Sequence, residues 1–184
     1  MLSPFRLRLA ASHLRRGGII AYPTEGVYGL GCDPLDQDAV RRLLALKERP
    51  SAKGLILIAA EFDQIEPYLD IPTEFMRSRL LATWPGPVTW IVPAASWVPA
   101  WLRGEHATLA VRVTAHPDAA ALCRAFGGPI ISTSANKSGR PPARTPISAR
   151  KHFSTGRVLI FPGRLGGLRG PTAIYDASTG VRLR

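Results

Sequence analysis

Thiol, imidazole and acid are all scarce in this chain, and each scarcity removes a class of chemistry. The two cysteines, Cys32 and Cys123, lie far apart without CxxC spacing, which leaves neither a disulfide scaffold nor a cysteine metal cluster. Four histidines, His13, His106, His116 and His152, show no zinc-ligand spacing and read as surface or packing residues, so no metal site is expected. The longest clean apolar run, Leu55 to Ala60, is six residues, against roughly 20 needed to cross a bilayer. GxxxxGK[ST], GxGxxG and GxSxG motifs are also missing; Gly29 and Gly31 lack both the third glycine and the helix. Ordinary ATPase, dehydrogenase, zinc-hydrolase and esterase chemistry is therefore disfavoured. Few cysteines and no spanning segment fit a cytoplasmic chain with no membrane partner.

What is present is a basic, normally hydrophobic chain. Its 184 residues are 46% apolar, and 24 Lys and Arg against 13 Asp and Glu leave a formal charge of +11. That length suits one domain, which buries roughly two-thirds of its unfolded surface. The charge is segregated. From Lys137 onward ten basic residues (Arg157 among them) face one acid, Asp176, while five acids fall between Glu61 and Glu74. Such a field favours a polyanionic partner such as RNA, although charge by itself does not separate RNA from nucleotide phosphates or a solvated basic face. The acid-free N-terminus, with Arg6, Arg8, Arg15 and Arg16, superficially suggests a transit peptide. Its lack of an unbroken apolar stretch makes it a first helix instead, with Ser3 as N-cap and Pro4 at N1.

Periodicity and punctuation predict helices at 4–16, 36–47, 61–69, 73–83, 117–126 and 146–153. Strands are expected at 18–22, 54–60, 87–93, 108–114, 129–132 and 157–161, with a hairpin over 172–184 turning at Ser178-Thr179-Gly180. Residues 23–34 and 133–145 read as loops. Alternating elements with a strand-only end make a single α/β (α+β) domain over 1–184, with a mixed β-sheet flanked by helices.

Three segments are unusual. Ala21-Tyr-Pro-Thr-Glu-Gly-Val-Tyr-Gly-Leu-Gly31 follows a strand, and its glycines allow close backbone approach while Thr24 and Tyr28 offer hydroxyls; a tight turn is the plainer reading. Leu46-Lys-Glu-Arg-Pro-Ser-Ala-Lys-Gly54 places Lys47, Arg49 and Lys53 at and beyond a helix end. These three cations either complement the helix dipole or clamp a triphosphate. Ile130-Ile-Ser-Thr-Ser-Ala-Asn-Lys-Ser-Gly139 empties a buried strand into hydroxyls and an amide, a natural anion cradle. Neither Ser132 nor Ser134 has a histidine or lysine base in recognisable relation, so a nucleophilic serine is disfavoured. Arg112 sits in an apolar strand where Thr108, Ala110 and Arg112 share one face, which suits capture of a carboxylate or phosphate, or a structural ion pair.

Five stretches in register, PTEGVYGLGCDP, LKERPSAKGLILIAA, WPGPVTWIVPA, LAVRVTAHP and PIISTSANKSGRPP, together resemble the YrdC-like family over roughly residues 10 to 180. The short length resembles its single-domain bacterial type. The resemblance implies a twisted sheet with a basic concave cavity. It also implies nucleotidyl transfer, in which L-threonine, bicarbonate or CO2 and ATP give threonylcarbamoyl-adenylate and pyrophosphate. Other proteins then transfer the threonylcarbamoyl group to an adenosine of tRNA. ATP is thus a substrate, carrying Mg2+ with it. A site rich in cations and hydroxyls suits such a reaction, which needs positioning and charge neutralisation more than a protein nucleophile.

Carried over by position, the resemblance implies that Lys47 and Arg49 neutralise the triphosphate and that Ser134 and Asn136 serve the nucleotide, these four being the catalytic set. Thr108 matches a position at the nucleotide end; Lys53 is added here as a further phosphate cation. Thr24, Arg112, Ser132 and Thr172 match the threonine end, with Thr172 standing where relatives commonly carry serine. Two departures are visible: Gly26 replaces the usual Thr or Ala, and Pro142 falls where some members offer ATP a serine. A non-catalytic double-stranded RNA or tRNA-binding module is the competing reading. A relative that carbamoylates a different acceptor is another, weakened by the lack of fused zinc-finger or acylphosphatase regions.

Overall fold

The computed structural model describes residues 3–153 and 158–184. Arg157, counted above among the basic residues and as the start of a strand, lies outside the described residues. Helix α1 (Pro4–Arg15) opens as expected, with the Ser3 side chain accepting from the Arg6 amide and Pro4 at the first turn. Strand β1 (Ile19–Pro23) follows. It is buried on both faces, because Ile19 and Ala21 enter the larger core while Ile20 and Tyr22 enter a smaller one beneath α1 and α5 (Pro117–Phe126). In α2 (Gln37–Lys47), Val40, Leu43, Leu44 and Lys47 are buried at helical spacing, each apolar side chain contributing about 1.5–3 kcal/mol. Glu48 ends that helix in the left-handed region, φ 54°, and redirects the chain toward Arg49.

The strands form two mixed sheets. The first has the order β7-β2-β1-β8, with β2 (Tyr28–Gly31) and β7 (Thr133–Ser134) antiparallel to their neighbours and β8 (Val158–Ile160) parallel to β1. The second has the order β6-β3-β5-β4-β9, from β3 (Ile56–Ala59), β4 (Val88–Pro93), β5 (Thr108–Val113), β6 (Ile130–Ile131) and β9 (Ala173–Asp176). β6 and β7 are consecutive, so the chain crosses from one sheet to the other at Ser132, whose amide donates to Ile56 O at 2.8 Å. Gly31 makes the crossing possible, since a Cβ there would stand 2.1 Å from Ile131 O.

Four expectations need correction. The stretches read as loops at 23–34 and 133–145 contain β2 and β7; both strands are too short and glycine- or serine-rich to show periodicity, and pairing defines them, β2 against β1 and β7, β7 against β2. The helix expected at 61–69 is two short 3-10 turns, Phe62–Gln64 and Glu66–Tyr68, because Pro67 has no amide to continue a helix. Helix α4 (Ala100–Arg103) was not foreseen; α3 (Glu74–Leu81) and α6 (Pro146–His152) fall inside their expected ranges. The terminal hairpin is partial: β9 pairs in parallel with β4, and the returning chain touches it through a Tyr175–Arg182 bridge.

Candidate active site

A cavity of about 300 Å3 opens between the two sheets where the chain crosses over. Its floor is the face of β5 carrying Thr108, Ala110 and Arg112, widened by Ile56 and Ile91 on the neighbouring strands. Thr24, Ser132, Ser134 and Thr172 put hydroxyls around it, and Arg49 and Lys53 reach it from the turn after α2. Eight of the ten site residues expected from sequence thus share one concavity.

Lys47 and Asn136 are not in its lining. Lys47 is buried, and its ammonium donates to the carbonyl oxygens of Ser134 and, at 2.8 Å, Asn136. Asn136 folds the loop on itself, its side-chain nitrogen donating to Lys137 O (2.9 Å) and Arg140 O (2.7 Å), while its Oδ1 is buried without a partner. Both residues hold the loop that presents Ser134. Burial, reinforced by the nearby charge of Arg49, lowers the Lys47 pKa to about 8.

Two cavity cations escaped sequence reading. Arg184 arrives from the returning C-terminal segment, its Nη2 donating to Thr172 O at 3.0 Å. Arg103, from α4, donates to Val98 O and His106 O at the opposite end, where His106 also lines the rim. Their only sequence signal was the basic bias of the chain; nothing local marked them.

The guanidiniums repel one another. Arg49 has its pKa lowered by burial and then by Arg184, and Arg184 by burial and then by Arg112. No Asp or Glu is among the lining residues. Arg49 donates to Gly54 O at 2.9 Å, yet its Nε is buried and unpartnered. Arg112 is held from behind, its Nη1 donating to Thr89 and Thr172 hydroxyls (3.0 Å each) and its Nη2 lying 3.5 Å from Glu25 Oε2. Its Nε is also orphaned. Crowded cations with unused donors and no facing acid form a place for anions. The described residues hold no group of three or more His, Cys, Asp or Glu able to bind a metal.

Several cations of the C-terminal stretch are engaged within the protein. Lys137 pairs with Glu48 at 2.7 Å, Arg144 donates to three backbone carbonyls, and Arg182 donates to Arg184 O. Arg140, Arg150, Lys151 and Arg169 are exposed. No helix among the described residues is long and apolar enough to cross a membrane.

Comparisons with known proteins place the fold and the family. The chain is 58% identical over 183 residues to a threonylcarbamoyl-AMP synthase of Methylococcus capsulatus, covering 100% of this chain and 98% of that one. It superposes on P. abyssi Sua5 complexed with L-threonine with a TM-score of 0.91 at 32% identity, covering 100% of this chain and 55% of Sua5, so it spans about half the length of that protein. E. coli YciO matches with a TM-score of 0.84 at 26% identity, covering 100% of this chain and 90% of YciO. The Sua5/YciO/YrdC family model, described as "Telomere recombination", matches residues 12–183, and this chain belongs to that family.

Proposed function

We propose that this chain is an L-threonylcarbamoyladenylate synthase, a nucleotidyltransferase that joins L-threonine, bicarbonate or CO2 and ATP. The observation that carries the reading is the convergence of Arg49, Arg112 and Arg184 with six hydroxyl residues in one acid-free cavity. It has room and charge for an amino-acid carboxylate at the Arg112 end and a polyphosphate at the Arg49, Lys53 and Arg184 end.

The threonine amine and bicarbonate give a carbamate and water (with CO2, the carbamate and a proton). A carbamate oxygen attacks the α-phosphorus of ATP, the bond to the β-phosphate breaks, and pyrophosphate leaves. Arg112, with Thr24, Ser132 and Thr172, holds the amino acid; Arg49, Lys53 and Arg184 offset charge on the phosphates as pyrophosphate departs. Ser134 serves the nucleotide from a loop braced by Lys47 and Asn136, and Thr108 serves its far end. The sheets' walls keep water from the carbamate. No Asp or Glu lines the cavity, so Mg2+ would be carried by the phosphates of ATP, where its charge would add to that of Arg49, Lys53 and Arg184.

The product is an activated acyl group, so the expected partners are proteins that transfer it to an adenosine of tRNA, in the cytoplasm. The exposed Arg140, Arg150, Lys151 and Arg169 favour contact with tRNA or another RNA. They also keep a second reading in play, that of a non-catalytic double-stranded RNA-binding module. Incubation with ATP, Mg2+, threonine and labelled bicarbonate, followed by mass spectrometry, separates the two. Labelled threonylcarbamoyl-adenylate and pyrophosphate are expected from the enzyme; RNA affinity with a steep salt slope and no turnover would establish the binding module instead.

A further inference from the structure

We infer that Arg144 is a positioning residue for the amino-acid end of the cavity, acting through the backbone strap 163–172; the inference rests on the function proposed above. Arg144 is exposed and is not in the cavity lining. Its guanidinium nevertheless donates to three carbonyls on two segments: Nη1 to Gly26 O at 3.0 Å and Arg169 O at 2.9 Å, Nη2 to Leu168 O at 3.3 Å. One segment carries Thr24 two residues earlier. The other runs directly into Pro171 and Thr172, which form part of the cavity wall.

The seam between these segments is backbone on backbone. Gly166 N donates to Thr24 O at 3.1 Å and Leu168 N to Glu25 O at 3.0 Å. At its tightest point a Cβ on Gly26 would stand 1.8 Å from Gly170 O, so the approach demands glycine there. Position 26 is also where the sequence departs from the family pattern of Thr or Ala. The departure is thus matched to a strap lying closer than a side chain would allow.

Arg144 is the fixed end of this arrangement. Its amide donates to Ser148 Oγ at 3.1 Å, within the capping box that Thr145 and Ser148 form at the start of α6. The preceding Ala143 is tied to β2, its carbonyl accepting from Tyr28 N at 2.8 Å. The strap, in contrast, has no helix or strand and four glycines between 163 and 170. Its end delivers Thr172 Oγ1 to Arg112 Nη1 at 3.0 Å. Arg184 also donates to Thr172 O, but β9 holds it separately, its carbonyl accepting from Ile174 N at 3.2 Å. A loosened strap therefore bears chiefly on Arg112 and the amino acid.

Steady-state kinetics of R144A and R144K, with thermal unfolding of each, test this. R144A is expected to raise KM for threonine about tenfold, the loss of a charge-assisted contact, while kcat and KM for ATP move no more than about threefold. R144K keeps a cation without the fork and is expected to fall between R144A and the parent protein. G26A, which drives the strap off by a different route, is expected to give the same threonine-selective change, and R144A/G26A to be no worse than the more impaired single variant. An unchanged threonine KM in R144A, or equal rises in both KM values, overturns the inference; an equal rise with a lowered Tm is what a merely structural role predicts. Calorimetric titration of threonine into the parent protein and R144A separates this inference from the functional reading. If the parent makes no adenylate but binds threonine about tenfold more tightly than R144A does, the strap stands and the assigned reaction falls. Equal threonine affinities in the two proteins sink the strap whatever the reaction.

Discussion

Lys47 holds Ser134 from beneath: its ammonium donates to the carbonyl of Ser134, a residue of the cavity lining. A cation expected to neutralise the triphosphate lies outside the cavity lining, beneath the loop that carries Ser134. A neutral amine still has two N–H bonds for the two carbonyls, so deprotonation removes charge from behind the loop without dismantling it.

That distinction sets a pH dependence. With the free-protein pKa lowered to about 8, affinity for ATP is expected to be full below that pH and to fall above it, because a bound polyphosphate favours the protonated amine. KM for ATP measured from pH 7 to 9.5 checks this. A flat profile, with Arg49 and Lys53 intact, would count against charge at Lys47. Stability runs the other way: the folded pKa lies below the unfolded value of about 10.4, so between these limits the folded state binds fewer protons and this group's contribution rises with pH. Urea unfolding at pH 7.5 and 9.5, compared with K47M, isolates it.

Arg184 should trade stability for binding. Its charge lowers the pKa of Arg49, so R184A relieves repulsion in the empty cavity. R184A is expected to leave Tm without ATP unchanged or slightly higher, and to weaken ATP binding by roughly tenfold or more, the loss of a charge-assisted contact. Thermal unfolding with and without ATP reads both effects. A lowered Tm with unchanged ATP affinity would show that Arg184 merely closes the C-terminal segment.

Glu25 and Arg112 are a buried ion pair, the carboxylate also accepting from Thr114 at 2.5 Å. Removing one charge strands the other, so E25Q is expected to cost about 3–5 kcal/mol in urea unfolding. R112K keeps charge but not the fork shared by Thr89, Thr172 and Glu25. It is expected to raise KM for threonine more than KM for ATP, which initial-rate measurements with each substrate varied will show.

Both thiols are free and buried, and burial pushes the Cys123 thiol up to about 12 and raises Cys32 as well. Neither is expected to react with a thiol-specific disulfide reagent at pH 8 in the native protein, and both are expected to react in urea. Fast labelling of the native chain would mean that the core around α5 opens far below global unfolding.

The helices were legible because their signals are local. Ser3 before Pro4 and the i, i+3, i+4, i+7 set of α2 act within a few residues, and both appear as expected. The face of β5 was legible for the same reason: period-two alternation put Thr108, Ala110 and Arg112 together, and together they form the cavity floor. The short strands were not legible. β7 exists because Ser134 pairs with Gly29 and Thr133 with Leu30, residues more than a hundred positions apart, and β2 is a glycine-rich four-residue strand that shows only through its pairing with β1 and β7. Arg184 had no local mark either, since only the pairing of β9 with β4 carries the last residue back to the site.

By itself the sequence determined which residue types were available: cations and hydroxyls in five ordered stretches, with little histidine or thiol and no acid inside them except Glu25, Asp33 and Glu48. Only the tertiary structure decided which of those cations line the cavity and which bond within the protein. Lys47 and Arg49 are two residues apart, yet one bends under the loop and the other enters the cavity, because the left-handed turn at Glu48 separates their directions. Residue type follows from the chain alone; the direction of a charge follows from backbone turns and pairings made over long sequence distances.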